Sequence, residues 1–178
     1  MTLTDILLEE HHHIERLISL FGIVTGDFTQ GQPVGPDFFI EAGQFIQVYV
    51  DGQHHRKEEG ILFPAIAPSM AKAVEALLAE HELARGFTRG MMGSASAWKN
   101  GDETAAQETI KEARNYAALM HDHILHENDV VYPATNWLIP RTEQAHLDEL
   151  CTQMEDESAM ARQFTNWLDA IEAQTPSD

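Results

Sequence analysis

The chain has 178 residues, ten of them histidine, and a formal net charge of −18 at pH 7. A composition of 43% hydrophobic and 22% charged residues is typical of a folded globular protein and excludes an intrinsically disordered chain. The negative charge argues against DNA, RNA and anionic lipid as partners, because each would be repelled by such a surface.

Cys151 is the only cysteine, so the sequence predicts neither an internal disulfide nor a cysteine-based zinc site. The first residues, "MTLTDILLEEHHH", lack the basic region and the small-residue cleavage site of a secretory signal. Apolar runs also stay well short of the ~20 residues that a membrane span needs. We therefore expect a cytoplasmic protein that forms a single domain over residues 1–178.

In chain order, apolar spacing predicts a first helix from about Thr4 to Phe28, followed by a break at "TQGQPVGPD", residues 29–37. The apolar stripe of this helix consists of Leu7, Ile14, Ile18 and Phe21. A second helix is predicted to begin at Asp37 and to end near Pro64 and Pro68. Its buried positions are predicted to be Phe39, Ile46, Val50 and Leu62.

A third helix is predicted over roughly Ser69 to Ser94, and a fourth from a cap at Asp102 to Pro133. The inward residues of the third helix are predicted to be Val74, Leu77, Leu78 and Phe87. After "WLIPRTE", a fifth helix presents Leu147, Leu150, Met154, Ala161, Phe164, Leu168 and Ile171.

Long helices joined by short loops predict an all-α fold. We expect an antiparallel four-helix bundle over about residues 4–140 with an additional C-terminal helix over about residues 141–173. That last helix either caps the bundle or pairs two subunits, so both a monomer and a homodimer remain open.

Two segments of the chain repeat each other. "HHRKEEGILFPA" (54–65) returns as "HILHENDVVYPA" (123–134), and in both a histidine is followed four residues later by glutamate, then by an aromatic residue and Pro-Ala. Upstream, "LLEEH" (7–11) returns as "LLAEH" (77–81). The chain therefore contains two similar helix pairs, each with one lone histidine and one His-x-x-x-Glu pair. The repeat selects His11 from "HHH", because His11 matches His81.

Helical geometry directs these residues towards one interior. Residues four apart share a helix face, so the two members of each His-x-x-x-Glu pair point the same way. His11 continues the apolar stripe of the first helix, and His81 lies one turn after Leu77. The residues predicted to converge are His11, His54, Glu58, His81, His123 and Glu127.

Two carboxylates in a helical core cost several kcal/mol each unless they are compensated. Arg85 is the inward cation that we expect to be within reach. A metal ion supplies the missing charge and takes neutral imidazole as a ligand. Nitrogen and oxygen donors without thiolate favour iron, manganese or zinc, and two carboxylates with four imidazoles suit a pair of ions.

The blocks "EEHHHIERL", "HHRKEEGILFPA", "AEHELARGF" and "HILHENDVVYPA" resemble, in this order, the signature of the hemerythrin-like HHE cation-binding family. The resemblance covers about residues 4–140. It implies a non-haem di-iron centre with an oxo or hydroxo bridge inside a four-helix bundle. It also implies that the metal ligands are His11, His54, Glu58, His81, His123 and Glu127.

The chain departs from the oxygen-carrying members of that family, which use a further histidine on the third helix and a wider spacing to aspartate on the fourth. Here Leu77 and Arg85 stand one turn on either side of His81. Fewer histidines imply a more open iron, which favours reaction with peroxide, dioxygen or nitric oxide over reversible oxygen storage. Relatives that repair iron–sulfur clusters commonly carry an added cysteine-bearing segment, so repair is the weaker expectation.

Other readings stay open at this point. A store or sensor of iron or of a diatomic gas, and a structural bundle that holds zinc, would use the same residues. Three Glu-x-x-His matches fit a ferritin-like centre less well, because they fall outside the second and fourth helices. The histidines predicted to lie on the surface or around the site are His12, His13, His55, His121, His126 and His146. Glu59 is placed with His55, and Arg85 and Tyr116 are candidates for gating or for hydrogen bonds around the site.

Overall fold

The computed structural model describes residues 1–26, 34–154 and 158–173, with the backbone alone for residues 158–161. These ranges contain helices and no strand. The predicted all-α class is therefore confirmed for the described part of the chain.

Helix α1 spans Leu3–Gly26, close to the predicted range, and Phe28 lies outside the described residues. The predicted apolar stripe faces the core: Leu7, Ile14 and Phe21 are fully buried, and Ile18 is half-buried. The spacing of apolar residues was therefore sufficient to orient this helix.

The next helical segments follow one another without a loop from Pro36 to Lys99. They are α2 (Pro36–Phe45), the π-helical segments π1 (Ile46–His55) and π2 (Glu58–Leu62), and α3 (Phe63–Lys99). The second helix was predicted to end near Pro64 and Pro68; it continues through Pro64 and kinks two residues after Pro68, at Met70, which has φ −128° and ψ 35°. Pro68 accounts for this kink, since its ring opposes the carbonyl of Pro64 and it has no N–H to donate.

Two π-helical segments occupy equivalent positions of the sequence repeat. Segment π2 covers Glu58–Leu62, and π3 covers Glu127–Val131. At the end of each, an aromatic residue bonds back five positions, with Phe63 N–H donating to the carbonyl of Glu58 and Tyr132 N–H to that of Glu127. A proline follows each aromatic residue, and its ring disfavours the tighter α-turn before it. Each of the two glutamates thus begins a widened turn.

Helix α4 spans Ala105–His126 and continues through π3 into α5 (Tyr132–Leu138), beyond the predicted end at Pro133. Thr104 directly precedes the helix, two residues after the predicted cap at Asp102. As a capping side chain does, Asp102 accepts hydrogen bonds on Oδ1 from the backbone N–H of Thr104 at 3.1 Å and from its hydroxyl at 2.6 Å. This pairing closes the loop that leads into α4.

The predicted C-terminal helix, over about residues 141–173, is described as α6 (Arg141–Met154) and α7 (Ser158–Glu172), and residues 155–157 between them lie outside the described residues. The side chain of Ala161 lies outside the described residues. Helix α7 packs against α1 and π1 of its own chain. The ring of Phe164 stacks on that of Tyr49 at 4.4 Å, and Arg16 pairs with Glu172 at 2.7 Å. The second of the two predicted roles, pairing of subunits, is therefore not needed to bury α7.

Two apolar clusters lie at different levels of the helices. One contains Ile14, Phe21, Tyr49 and Tyr116 among others, and the second contains Leu7, Leu62 and Leu77. On α1 these levels are residues 14–21 and residues 3–7, and His11 falls between them. Leu78, which was predicted to face inward, is 39% exposed. The histidine layer therefore lies between two apolar layers that keep it from water.

The continuous helix Pro36–Lys99 contains an 18-residue window with a mean hydropathy of 1.5, of which 33% is buried. By length and composition alone this helix could cross a membrane, although core helices of bundles pass the same test. In this structure the helix also contains the buried ionisable residues His54, His55 and Glu58. Lys57, within the same helix, is buried beside Glu10.

Candidate metal centre

The first group of ionisable side chains in the interior comes from α1, π1, π2 and π3. It consists of His11, His54, Glu58 and Glu127, whose nearest donor atoms all lie within 4.8 Å of one another. The Nε2 atoms of His11 and His54 are 3.1 Å apart. His11 Nε2 is 3.3 Å from Glu127 Oε2, and His54 Nε2 is 3.6 Å from Glu58 Oε1. We call this group the first position.

The second group lies on α3, π1, π2 and α4. It consists of His55, Glu58, His81 and His123, again with donor atoms within 4.8 Å of one another. The Nε2 atoms of His81 and His123 are 3.2 Å apart, and His81 Nε2 is 3.4 Å from Glu58 Oε2. We call this group the second position.

The two glutamates connect the positions. Glu58 faces His54 with Oε1 and His81 with Oε2. Glu127 Oε2 lies 3.3 Å from His123 Nε2 and equally far from His11 Nε2. Each carboxylate thus touches one imidazole of either position, which is the placement that a bridging ligand requires. The structure brings together all six residues that the sequence predicted.

Side-chain oxygens fix the orientation of five imidazoles in the interior. In each case Nδ1 lies within hydrogen-bond distance of an oxygen: Asn128 Oδ1 for His11 (2.7 Å), Glu10 Oε2 for His54 (3.1 Å), Asp51 Oδ1 for His55 (3.0 Å), Glu59 Oε1 for His81 (2.8 Å) and Glu80 Oε2 for His123 (2.8 Å). Because these oxygens accept, Nδ1 donates its hydrogen, and the lone pair of a neutral ring lies on Nε2. This is the arrangement by which proteins orient metal-binding histidines.

The two glutamates are ionised although they are fully buried. Burial and the charge of Glu127 raise the pKa of Glu58, but His54 and His81 outweigh them and the net pKa is lowered. Burial likewise raises the pKa of Glu127, and the neighbouring His11 and His123 lower it below its usual range. Both side chains therefore keep the charge that a cation would compensate.

Neighbouring carboxylates also shift the pKa values of two imidazoles. Burial lowers the pKa of His54, but Glu58 and Glu10 together raise it above its usual value. Burial also lowers the pKa of His123, and Glu127 and Glu58 raise it to about 9. Without a metal ion the centre thus balances its carboxylates by taking up protons.

His55 was predicted to lie either on the outer face of its helix or around the site, and the first of these alternatives is wrong. Its side chain is fully buried, and its ring stacks on that of His81 with centroids 3.7 Å apart. Burial and the neighbouring His81 and His54 hold its pKa well below 6.5. The prediction took each residue as a step of an α-helix, whereas π1 has wider turns that bring successive side chains closer in angle.

Arg85 does not contact the buried carboxylates, contrary to its predicted reach. It donates to Glu59 Oε1 at 2.7 Å and lies 3.3 Å from Asp51 Oδ1, and it also binds Glu82. Glu59 and Asp51 are the acceptors that orient His81 and His55. Arg85 therefore connects the two acceptors of the second position, as its predicted role in hydrogen bonding around the site suggests.

Sequence reasoning missed five side chains that contact residues of the centre: Glu10, Asp51, Glu80, Asn128 and Tyr132. Tyr132 donates its hydroxyl hydrogen to Glu58 Oε1 at 2.5 Å, and burial and the charges of Glu127 and Glu58 raise its pKa well above 10. Glu10 and Glu80 each accept from an imidazole, and Glu10 also binds the buried Lys57. A signal existed, because Glu10 and Glu80 directly precede the paired histidines of "LLEEH" and "LLAEH".

The remaining histidines lie away from the centre. The exposed ones are His12, His121, His126 and His146, as predicted. His13 is half-buried beside the rings of Tyr49 and Phe164. Tyr116 is buried in the apolar cluster, with its ring 6.0 Å from that of Phe21. The Glu-x-x-His matches do not contribute a group of metal donors within the described residues.

The residues present fit a pair of metal ions. Glu58 Oε2 and both carboxylate oxygens of Glu127 are buried without a well-formed hydrogen bond, and so is Nε2 of His55. Buried polar atoms are rarely left in this state, and these four face one centre. Nitrogen and oxygen donors without sulfur suit iron, manganese or zinc.

The sequence matches the family model described as the hemerythrin HHE cation-binding domain over residues 2–135. The search of curated proteins found no match. The search of solved structures also found none. The matched range contains all six predicted site residues and His55.

Proposed function

We propose that this chain, which belongs to the hemerythrin HHE cation-binding domain family, has a di-iron centre. The centre binds or reacts with dioxygen, peroxide or nitric oxide. The ligands proposed for it are His11, His54, Glu58, His81, His123 and Glu127. The observation that carries the proposal is the pair of fully buried carboxylates, each placed between imidazoles of the two positions.

The fold that goes with this proposal is the antiparallel four-helix bundle of the family, in one domain over residues 1–178. The packing of α1 and α3 on α4, and of α2 on α3, supports it. Helices α6 and α7 would cover this bundle, and either a monomer or a homodimer fits.

Iron is favoured over zinc by the character of the site. A structural zinc site is closed and tetrahedral, whereas two carboxylates shared between two groups of imidazoles suit a pair of ions. Manganese and zinc accept the same donors, so the metal is the first quantity to measure.

Bound iron would supply the redox chemistry and the coordination site for the small molecule. The protein's part is to hold imidazole Nε2 atoms towards the centre through the Nδ1 hydrogen bonds and to exclude water with the two apolar layers. The hydroxyl of Tyr132 donates a hydrogen bond to Glu58 Oε1, which holds that carboxylate in place at the edge of the first position.

The charge and composition of the chain are compatible with a small neutral or weakly charged molecule as its ligand. The net charge of −18 opposes nucleic acid and anionic membranes as partners, and the single cysteine fits a reducing cytoplasm. We extend the proposal to a cytoplasmic protein on these grounds.

Metal analysis with an optical spectrum tests the centre, and peroxide consumption tests its chemistry. Disproportionation of hydrogen peroxide to water and dioxygen needs no other co-reactant, so the iron-loaded protein is assayed for it first. His54→Ala is expected to lower both metal content and peroxide loss, whereas His12→Ala, on the exposed side of α1, leaves both unchanged. A metal-free protein after loading with iron would contradict the centre. A loaded protein that binds dioxygen reversibly but consumes no peroxide would identify a store or sensor.

A further inference from the structure

The two positions are related by the sequence repeat, and their surroundings repeat with them. His11 corresponds to His81 and is stacked on Tyr132 at 5.3 Å, while His81 is stacked on Phe63 at 5.7 Å. Tyr132 and Phe63 are themselves equivalent in the repeat. Two metal positions built from such a repeat are expected to be alike, so each departure from it distinguishes one position from the other.

His55 is the largest departure. Its equivalent in the repeat is Ile124, a fully buried apolar residue that cannot bind a metal. His55 itself lies in the second position with Glu58, His81 and His123. The first position has no matching imidazole from α4, because Ile124 occupies that place.

The surroundings of His55 are those of the other four imidazoles. Its Nδ1 lies 3.0 Å from Asp51 Oδ1, and Asp51 is in turn held by Arg85. Its Nε2 is buried and has no hydrogen-bond partner. A histidine that only fills space does not need a carboxylate at one nitrogen, and an unsatisfied buried lone pair at the other nitrogen costs stability that a bound ligand would remove.

We propose that His55 is a metal ligand, the third imidazole of the second position, which makes the two positions unequal. This inference rests on the proposed function, since it presumes that the centre holds two ions. The second helix would thereby supply the additional histidine that the third helix, with Leu77, does not.

The two positions then differ in their donors. With three imidazoles and two shared carboxylates, the second position has the fuller set. The first position has two imidazoles, and the hydroxyl of Tyr132 lies 3.3 Å from His11 Nε2.

The alternative role for His55 is stacking on His81 without coordination. His55→Phe separates the two, because it keeps an aromatic ring and removes both nitrogens. His55→Gln, which is polar and smaller, guards against a failure of Phe to fit. His13→Phe is the matched control, since His13 also lies against aromatic rings but outside the two positions.

Titration of the metal-free proteins with Co(II) alone, followed by visible absorption and by metal content after desalting, gives stoichiometry and affinity without any assay of turnover. The wild type and His13→Phe are expected to bind two ions. Both His55 variants should keep one ion at wild-type affinity and bind the other at least ~100-fold more weakly. Removal of a residue that only hydrogen-bonds to a metal ligand costs about 10–100-fold in affinity, so a larger loss indicates that a ligand itself was removed.

Each outcome decides the matter. Two ions at unchanged affinity in both His55 variants would overturn the inference and leave the proposed function intact. Loss of both ions in the two variants would overturn the assignment to a single position. A wild type that binds no Co(II) and no iron would overturn the proposed function itself, and a variant that lacks wild-type far-UV circular dichroism is judged by the other one.

Discussion

Glu10 and Lys57 form a buried ion pair beside the centre, and its removal should cost stability. Glu10 is 7% exposed and Lys57 4% exposed, and the ammonium group donates to Oε1 of the carboxylate. Its other oxygen accepts from His54 Nδ1 at 3.1 Å. Glu10→Ala leaves the ammonium buried and unpaired, which costs about 3–5 kcal/mol when one partner of such a pair is removed. That is a large part of the ~5–15 kcal/mol by which a domain is stable.

Urea unfolding of the metal-free protein at pH 7 measures this loss, with Glu9→Ala on the exposed face of α1 as the matched control. Burial raises the pKa of Glu10, but His54 and Lys57 lower it below 4.5 overall. The stabilisation is therefore fully present above pH 4.5 and is lost as the pH falls through the lowered value, so the difference between Glu10→Ala and wild type should shrink in acid.

The double variant Glu10→Ala/Lys57→Met removes the stranded charge and should recover most of the loss. The two single losses would then exceed the double loss by at least ~1 kcal/mol, as expected for residues in direct contact. A Glu10→Ala protein within ~0.5 kcal/mol of wild type, or single losses that simply add, would refute the ion-pair reasoning.

Three further predictions follow from the same contacts. Glu80→Ala should weaken metal binding about 10–100-fold by releasing His123, while Glu75→Ala on the exposed side of α3 should not, and metal titration distinguishes them. Tyr132→Phe should lower the stability of the metal-free protein by about 1.5–3 kcal/mol, because Glu58 loses a hydrogen bond to its charged group; unchanged unfolding in urea would contradict this. Free metal at ~100–1,000 times its dissociation constant should stabilise the wild type by about 2.7–4.1 kcal/mol, read from the shift of the unfolding midpoint and reversed by a chelator.

The positions of the six predicted residues could be read from the sequence because two independent constraints agreed. The repeat matched residues pairwise along the chain, and the four-residue spacing put each histidine on the face of its glutamate. The same alignment also pairs Tyr132 with Phe63, and the structure places both rings over equivalent imidazoles. What repeats in the chain was therefore predictable down to individual side chains.

Features that depend on a change of helical pitch were not predictable in this way. The helix end predicted near Pro64 and Pro68 is present as the kink at Met70, whereas the backbone continues through Pro64 because a proline in the first turn of a helix interrupts no hydrogen bond. His55 was assigned by the angle of an ideal α-helix, whereas it lies in the π-helical segment Ile46–His55. Proline explains the widened turns π2 and π3, but π1 contains none, so no residue type announces it.

The carboxylates that orient the imidazoles join these two kinds of feature. Glu10 and Glu80 repeat, whereas Asp51 and Glu59 on the second helix have as equivalents Met120 and Asn128 on the fourth. Among Glu10, Glu80, Asp51 and Glu59, Asp51 is the acceptor for His55. Its equivalent in the repeat, Met120, is apolar, as is Ile124, the equivalent of His55. A histidine and its acceptor thus occur together on one side and are both replaced by apolar residues on the other. Coupled replacement of this kind is what a ligand and the group that orients it would require, and it is not required of two residues that merely fill space.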